Sequence, residues 1–171
     1  DELEFQIRIT SSSSKKIRKV ILSKNIDSNL RKKIINSYGK LSSKKVAVRS
    51  SATAEDLPSA SFAGQQDTYL NVGNERNLIK SIKNCWASLF TSRAIYYREK
   101  NKFKHEDVLI SVVVQEMIDS QFSGVMFTRD PVGKKDILIE AVGGLGEKLV
   151  SGEVTPNTYL INKKDFSIAK L

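Results

Sequence analysis

Residues 46–72, VAVRSSATAEDLPSASFAGQQDTYLNV, place the strongest constraint on how this chain can fold. Two apolar stretches, at 46–49 and 67–72, are typical of strands. Residues 50–63 between them are rich in Ser, Ala, Asp and Pro, and they are too many for a hairpin turn. The sequence therefore predicts two strands joined by a long ordered loop, and loops of this length in compact domains are commonly functional.

The residues of this loop are suited to hold a phosphate group. Small residues at 59–61, 63 and 64 let the backbone approach a ligand and point its N–H groups at phosphate oxygens. Gly64 ends this run, and Gln65, Gln66 and Thr68 add side-chain donors. The loop is not a Walker A loop, since neither GxxxxGKS nor GxxxxGKT occurs. Composition alone leaves a phosphate-holding loop and a serine-rich surface loop both open.

Arg49 ends the first apolar stretch and carries a charge that can bind a phosphate through two N–H groups. A guanidinium is costly to bury unless an anion meets it, so a buried strand that ends in arginine favours an anionic ligand. The competing interpretation is a structural ion pair of Arg49 with Glu55 or Asp56.

A second candidate site is the apolar strand at residues 112–117, which ends in Gln115, Glu116 and Met117. The junction of such a strand with its linker can present backbone N–H and C=O groups to an adenine, while apolar side chains cover the ring. The pattern alone favours the alternative, a strand that only packs in the core.

A third candidate is IEAVGGLGEKLVSG, in which Glu140 ends a predicted strand and Glu147 begins a helical turn after three glycines. Such carboxylates can bind a metal or a ribose, or pair with Arg93. Glu147 can equally interact with the helix dipole alone. Arg93, in TSRAIYYR, is a candidate for a second phosphate-facing arginine, and a surface role is the more usual alternative.

The whole chain is predicted to be α+β, without the βαβ alternation of a Rossmann domain. The expected strands and helices before residue 46 are a strand at 3–9, a flexible serine connector at 11–14, and helices at 17–22 and 29–41 with Ser28 as N-cap. Further helices are expected after Gly73 and Asn74 and at 91–97, and strands dominate from Val108. The short connections 118–121 and 130–135 predict antiparallel neighbours.

Residues 1–44 are predicted to be a basic, mainly helical segment, separate from the α+β residues 45–171 that contain the candidate sites. The net charge of +9 arises in residues 1–49, which carry 13 Lys and Arg against 4 Asp and Glu. Basic segments can bind nucleic acid. This one lacks aromatic residues among its lysines and any helix-turn-helix pattern, so a solvated helical face is favoured.

Two residues with reactive side chains are poor catalytic candidates. Cys85, the only cysteine, lies in a helical pattern and is predicted to be a packing residue. His105, the only histidine, lacks the surroundings of a phosphoryl-carrying or metal-binding histidine. The single cysteine and the lack of a signal peptide or a membrane-length apolar run predict a cytoplasmic location.

Four motifs occur in order between residues 46 and 161: the segment 46–72, CWASLFTSRAIYYREKN, VVVQEM with SGVMFTRDP, and GLGEKLVSGEVTPNTYLI. Together they resemble the pyruvate phosphate dikinase ATP/pyruvate-binding domain family, which includes phosphoenolpyruvate synthase and rifampicin phosphotransferase. The resemblance implies that residues 45–171 are a partial nucleotide-binding domain with an ATP-grasp-like fold, in which two α+β lobes clamp ATP. By this resemblance the catalytic residues are Arg49 and Arg93, near the phosphates. The implied cofactor-binding residues are Gly64, Gln65 and Thr68 over the phosphates, Gln115, Glu116 and Met117 at the adenine, and Glu147 near the nucleotide or its metal.

The resemblance also implies ATP and Mg²⁺ as cofactors, with the metal ligands mainly outside this chain. In the family, ATP passes a phosphoryl group to a histidine on a separate domain, which delivers it to pyruvate or another small acceptor. The family's GGKxxxLGE and QARP motifs do not occur in these 171 residues. The chain is thus expected to be an inactive fragment, most like phosphoenolpyruvate synthase. A rifampicin phosphotransferase-like domain and a noncatalytic nucleotide-binding module are the alternatives.

Overall fold

The computed structural model describes residues 2–53, 56–57, 60–61, 67–129, 131 and 136–170, without the side chains of 2–9, 56–57, 60–61 and 169–170. The chain divides into two compact units, Asp1–Met117 and Ile118–Leu171. Both contain helices and antiparallel strands, which confirms the α+β class. The predicted functional division at residue 45 stays a prediction.

The first unit is a three-stranded antiparallel sheet with helices. Its elements are α1 (Glu2–Ser23), α2 (Ser28–Tyr38), β1 (Val46–Ala52), β2 (Asp56–Leu57), β3 (Ala60–Ser61), β4 (Thr68–Val72), α3 (Glu75–Ser88), α4 (Ser92–Lys100), the 3₁₀ turn η1 (His105–Asp107) and β5 (Ile110–Glu116). The strands run in the order β4-β1-β5, and β2 pairs with β3 in a small hairpin. β1 is therefore central, and it pairs with β5 along its whole length.

The core of this unit lies on one face of the sheet, where α3 packs. Fully buried Val46, Val48, Leu78 and Cys85 form its centre. Cys85 makes the packing contacts predicted for it, because apolar residues of β1 and α3 surround its side chain. Burial and the nearby negative charge of Asp67 raise the pKa of Cys85 to about 11, which keeps the thiol protonated.

The predictions of a strand at residues 3–9 and a flexible connector at 11–14 are wrong, because both lie within α1. Serine has only middling helix propensity, and tertiary packing overrides it here. Thr10 and Ser14, one helical turn apart, are 4% and 3% exposed, and the Ser14 hydroxyl donates a hydrogen bond to the Phe90 carbonyl at 2.7 Å. The helix predicted at 17–22 is the last part of α1.

The other helices begin at identifiable caps. The N-cap of α2 is Asp27 rather than the predicted Ser28, since the Asp27 carboxylate accepts the N–H groups of Asn29 and Leu30, both at 3.0 Å. Asn74 caps α3 as expected, through a 2.8 Å bond from the N–H of Asn77. Thr91 likewise caps α4. None of the helices in the described ranges is both long and apolar enough to cross a bilayer.

Arg98 is the largest fully buried side chain of the first unit. Its Nε donates a hydrogen bond to Nδ1 of His105 at 2.9 Å, and its guanidinium carbon lies 5.5 Å from the centre of the Phe90 ring. Its Nη1 and Nη2 are buried without an acceptor among the described residues. Burial lowers the pKa of Arg98, because a charged group is costly to desolvate. The hydrogen bond from Arg98 ties His105 in η1 to α4.

The second unit is a four-stranded antiparallel sheet in the order β6-β7-β8-β9. Its elements are β6 (Phe122–Phe127), β7 (Ile137–Gly143), α5 (Glu147–Val150), β8 (Asn157–Ile161) and β9 (Ile168–Lys170). β6 and β7 are antiparallel neighbours, as the short connection 130–135 predicts. A Cβ at Gly124 would lie 2.6 Å from the Glu140 carbonyl oxygen, so only glycine fits this close strand pair.

The matching prediction for connection 118–121 is wrong, because β5 pairs with β1 and β6 pairs with β7. A short connection favours pairing only when neither strand has a better partner. Here β1 provides seven consecutive partners for β5, and β7 provides six for β6.

Candidate functional site

Strand register brings three of the predicted site residues to one face of the first sheet. Arg49 is paired with Thr68 of β4 on one side and with Val113 of β5 on the other, while Ala47 is paired with Gln115. Directly paired residues point to the same face of a sheet, and alternate residues of a strand share a face. We call this surface, opposite the α3 side, the open face; it comprises Ala47, Arg49, Ser51, Thr68, Ser111, Val113 and Gln115.

Apart from Ala47, which is buried, the open face is accessible and mostly polar. Arg49, Ser51, Thr68, Ser111 and Gln115 are all exposed, whereas the alternate residues of β1 and β5 point towards the helices. Neighbouring strands lie about 4.8 Å apart, so the Arg49 and Thr68 backbones are close enough for both side chains to reach one phosphate group. The Gln115 position lies two residues further along β5, about 7 Å from that of Val113. The face thus offers a cation and a hydroxyl at one end and an amide at the other.

A β-bulge in β4 sets this arrangement. The register shifts between the pairs Val46 with Val72 and Val48 with Tyr69, so one extra residue lies in β4. Asn71 has φ 56°, a left-handed conformation that asparagine tolerates better than most residues. Tyr69 and Val72 can both face α3 because of this extra residue, and Thr68 then faces the open side.

Arg49 is not buried, which removes one of the arguments made for it from sequence. β1 continues to Ala52, and the Arg49 side chain is exposed. The cost of burying a guanidinium therefore gives no information about its ligand. Its competing partner Glu55 and the side chain of Asp56 lie outside the described residues, so the ion pair stays untested. Arg49 remains a candidate for phosphate binding because it is paired with Thr68 in the sheet.

Gly64 and Gln65 also lie outside the described residues, but the chain on both sides of their segment is well tethered. Before it, the Thr53 N–H donates to the Leu109 carbonyl at 3.0 Å, and the Leu109 N–H donates to the Thr53 hydroxyl oxygen at 3.1 Å. After it, the Asp67 carbonyl accepts hydrogen bonds from Ser50.

The predicted adenine-binding residues are directed to different places. Gln115 belongs to the open face. The Glu116 carboxylate accepts the backbone N–H groups of Ser42 and Ser43 instead, which fixes the turn before β1. The half-buried Met117 donates its N–H to the Lys45 carbonyl at 3.0 Å. A role of Glu116 in nucleotide binding would therefore have to use its backbone rather than its carboxylate.

Arg93 and the acidic candidates lie elsewhere. Arg93 is exposed on α4, which packs against α1. Glu147 is the exposed first residue of α5 in the second unit. Glu140 does not end its strand as expected, because β7 continues to Gly143, and Glu140 pairs with Val125 and Thr158 within the sheet. The described residues contain no group of three or more His, Cys, Asp or Glu side chains arranged to hold a metal ion.

Sequence reasoning missed Ser111 and Val113 as members of the open face. The alternation of polar and apolar residues in ISVVVQE is weak, and only pairing with β1 assigns them a side. A separate cavity of about 400 Å³ lies on the opposite face, under α2, with Trp86, Val112 and Val114 among its lining residues. None of the predicted site residues lines that cavity.

Comparison with known proteins relates nearly the whole chain to one family of nucleotide-binding domains. Residues 4–170 match the family described as pyruvate phosphate dikinase, AMP/ATP-binding domain. A probable phosphoenolpyruvate synthase of Methanocaldococcus jannaschii is 49% identical over 92% of this chain and 14% of its own length. The probable phosphoenolpyruvate synthase of Archaeoglobus fulgidus is 65% identical over 69% of this chain and 16% of its own. The phosphoenolpyruvate synthase of Pyrococcus furiosus is 47% identical over 94% of this chain and 21% of its own length.

This chain therefore spans about a fifth or less of the length of these three relatives. The family match, in contrast, covers almost the whole chain and includes both compact units. On this match, and on relatives with about half of their aligned residues identical, the chain belongs to the pyruvate phosphate dikinase AMP/ATP-binding domain family.

Proposed function

We propose that this chain binds the phosphate groups of Mg-ATP on the open face, as the nucleotide-binding part of a phosphoenolpyruvate synthase-like phosphotransferase. The observation that carries the proposal is the register that places Arg49, Thr68 and Gln115 on one exposed face of a sheet in a member of an AMP/ATP-binding family. An arginine fork and a hydroxyl donor are the groups that suit phosphate oxygens.

Each residue of the face has a distinct part in this proposal. Arg49 neutralises phosphate charge, and Thr68 donates its hydroxyl to the same group. Gln115, nearer the linker, contributes to holding the base or ribose. Gly64 and Gln65 add donors over the phosphates. Catalysis of phosphoryl transfer rests on such positioning and charge neutralisation rather than on covalent chemistry in this domain.

We further propose that the chain has an ATP-grasp-like fold. Two antiparallel sheets of three and four strands, one in each unit, support this proposal. Arg93 would provide a second positive charge and Glu147 a carboxylate near the nucleotide. Mg²⁺ is the expected metal, with its ligands mainly on parts of the protein outside this chain.

The remaining partners follow from the same proposal. The phosphoryl group passes to a histidine on a separate domain and then to pyruvate, as the family resemblance implies. A pyruvate acceptor also fits the relatives' name, phosphoenolpyruvate synthase. His105 is not proposed as that histidine, because the proposed acceptor lies on a separate domain, whereas His105 lies in the η1 turn of this chain. A cytoplasmic location and the absence of a nucleic-acid partner are part of the proposal, and the exposed lysines of α1 remain a solvated surface.

Calorimetric titration of Mg-ATP into the full-length protein tests the proposal. Arg49→Ala should weaken binding roughly 10-fold to 100-fold, the range for losing a charge-assisted hydrogen bond of about 1.5–3 kcal/mol. Arg76→Ala is the matched control, since Arg76 is also exposed but lies on α3, which covers the opposite face. Equal affinities of the two variants would refute phosphate binding by Arg49.

A further inference from the structure

Several donors converge on Asp67, the residue directly before β4. Its carbonyl oxygen accepts the Ser50 N–H at 3.4 Å and the Ser50 hydroxyl at 3.2 Å. The Cys85 sulfur lies 3.7 Å from the same oxygen and 3.9 Å from the carbonyl oxygen of Val48. The Asp67 carboxylate accepts the Tyr69 hydroxyl at 2.7 Å. We call Ser50, Asp67, Tyr69 and Cys85 the Asp67 cluster.

The Asp67 cluster lies behind the open face, on the side that packs against α3. Tyr69 and Cys85 belong to the hydrophobic core or its edge, and Ser50 alternates with Arg49 along β1. Ser50 follows Arg49 directly, and Asp67 precedes Thr68 directly. Contacts within the cluster therefore tie the residue beside Arg49 to the residue beside Thr68.

The chemistry of the cluster keeps its donors protonated. Tyr69 and Cys85 already retain their hydrogen at neutral pH, and burial together with the Asp67 carboxylate raises the pKa of both groups further. A retained O–H or S–H can donate to an oxygen of Asp67 or to a neighbouring carbonyl. An ionised oxygen or sulfur would have no hydrogen to donate and would repel these acceptor oxygens. The cluster is thus a connected hydrogen-bond network between β1, β4 and α3.

We propose that the Asp67 cluster is a set of positioning residues that fixes the spacing between Arg49 and Thr68 for the phosphate groups of the nucleotide. This inference rests on the proposed function of the open face. Displacement of a binding group by about 1 Å can remove a large part of its contribution to ligand affinity. A network that holds the neighbouring residues of β1 and β4 in place therefore affects nucleotide affinity without contacting the nucleotide. It affects the phosphate end of the nucleotide and leaves the end near Gln115 unchanged.

Competition of ATP and adenosine against a fluorescent ATP analogue, measured on the full-length protein, tests this proposal. Ser50→Ala and Tyr69→Phe should each weaken ATP about 5-fold to 10-fold, the equivalent of one lost hydrogen bond. Adenosine affinity should change less than about 2-fold, because adenosine has no phosphate groups. Ser50→Thr keeps a hydroxyl and should restore ATP affinity.

Ser88→Ala is the matched control for removal of a buried hydroxyl. Ser88 lies on α3 and is fully buried, but its hydroxyl donates to the Cys85 carbonyl at 2.7 Å and not to Asp67. It should lower the melting temperature and leave the ratio of ATP to adenosine affinity unchanged. Parallel losses of ATP and adenosine affinity in Ser50→Ala and Tyr69→Phe would overturn the positioning role, as would wild-type ATP affinity.

The two proposals fail separately in this experiment. If Arg49→Ala loses ATP binding while Ser50→Ala and Tyr69→Phe bind ATP like the wild type, the Asp67 cluster is only structural and the open face still binds phosphate. If Arg49→Ala binds ATP like the wild type, phosphate binding by the open face is wrong, and the positioning proposal is overturned with it.

Discussion

Replacement of Arg98 tests how a buried guanidinium is tolerated in this fold. Arg98 is 0% exposed, and two of its nitrogens have no acceptor among the described residues. Counted as one unsatisfied group each, at about 1–3 kcal/mol, Nη1 and Nη2 together cost about 2–6 kcal/mol. The hydrogen bond to His105 offsets about 1.5–3 kcal/mol, and the contact with Phe90 offsets about 0.5–2 kcal/mol. These terms nearly cancel, so the charged group contributes little net stability.

Arg98→Met retains an unbranched stem without the charge, and we expect its unfolding free energy to lie within about 2 kcal/mol of the wild-type value. Arg98→Ala loses the same charge together with the buried stem. With about 0.8 kcal/mol for each buried methylene, Arg98→Ala should be about 2–3 kcal/mol less stable than Arg98→Met.

Urea unfolding of both variants, followed by the fluorescence of Trp86, measures these differences. Trp86 packs against the main core of the first unit and reports on its unfolding. A loss of more than about 4 kcal/mol of unfolding free energy in Arg98→Met would contradict the small net contribution of the charged group, because only a guanidinium with a strong acceptor is that costly to remove.

Three further predictions concern stability. The pKa of Cys85 rises from 9.0 to about 11 on folding, so the folded state keeps a proton that the unfolded state releases at high pH. The contribution of this thiol to the unfolding free energy is therefore fully present below pH 9.0 and is lost as the pH rises towards 11. The unfolding free energy from urea titrations should fall by up to about 2–3 kcal/mol over this pH range, and Cys85→Ser should not show this fall. An equal fall in Cys85→Ser would contradict its assignment to the Cys85 thiol. Asp27→Ala should lower the unfolding free energy by about 1 kcal/mol and Ser28→Ala should leave it almost unchanged, since Asp27 is the N-cap of α2; thermal unfolding measures both. A larger loss in Ser28→Ala than in Asp27→Ala would show that Ser28 is the N-cap. Gly144→Ala should destabilise by about 1 kcal/mol because Gly144 has φ +77°, whereas Gly143→Ala should be neutral or stabilising, since its Cβ would meet nothing within 4 Å; similar melting temperatures would contradict this conformational argument.

Local patterns in the sequence are enough to predict most strands and the helices from Asn74 onwards. Strong caps at Asn74 and Thr91 and clear helical spacing agree with the packing there. The first helix is the main failure, because alternating residues 3–9 and a serine run both disfavour helix locally. Contacts with α3 and α4 decide its structure, and such contacts have no signal in the sequence of α1 itself.

The candidate site is predictable in its residues but not in their arrangement. The motif VRSSA points to Arg49, yet the argument from burial is wrong, because the arginine is exposed on a strand that continues beyond it. Strand pairing decides which residues share a face. The bulge at Asn71 decides it for Thr68, and nothing in TYLNV alone predicts a positive φ at that position. The Asp67 cluster joins residues 17 and 18 positions apart, beyond the reach of local patterns.

A crystal structure of the full-length protein with Mg²⁺ and a non-hydrolysable ATP analogue would show whether the open face binds ATP phosphates. We expect phosphate oxygens within about 3 Å of the Arg49 guanidinium and the Thr68 hydroxyl, with the base towards Gln115. A nucleotide in the cavity under α2, beside Trp86 and Val114, would contradict this expectation.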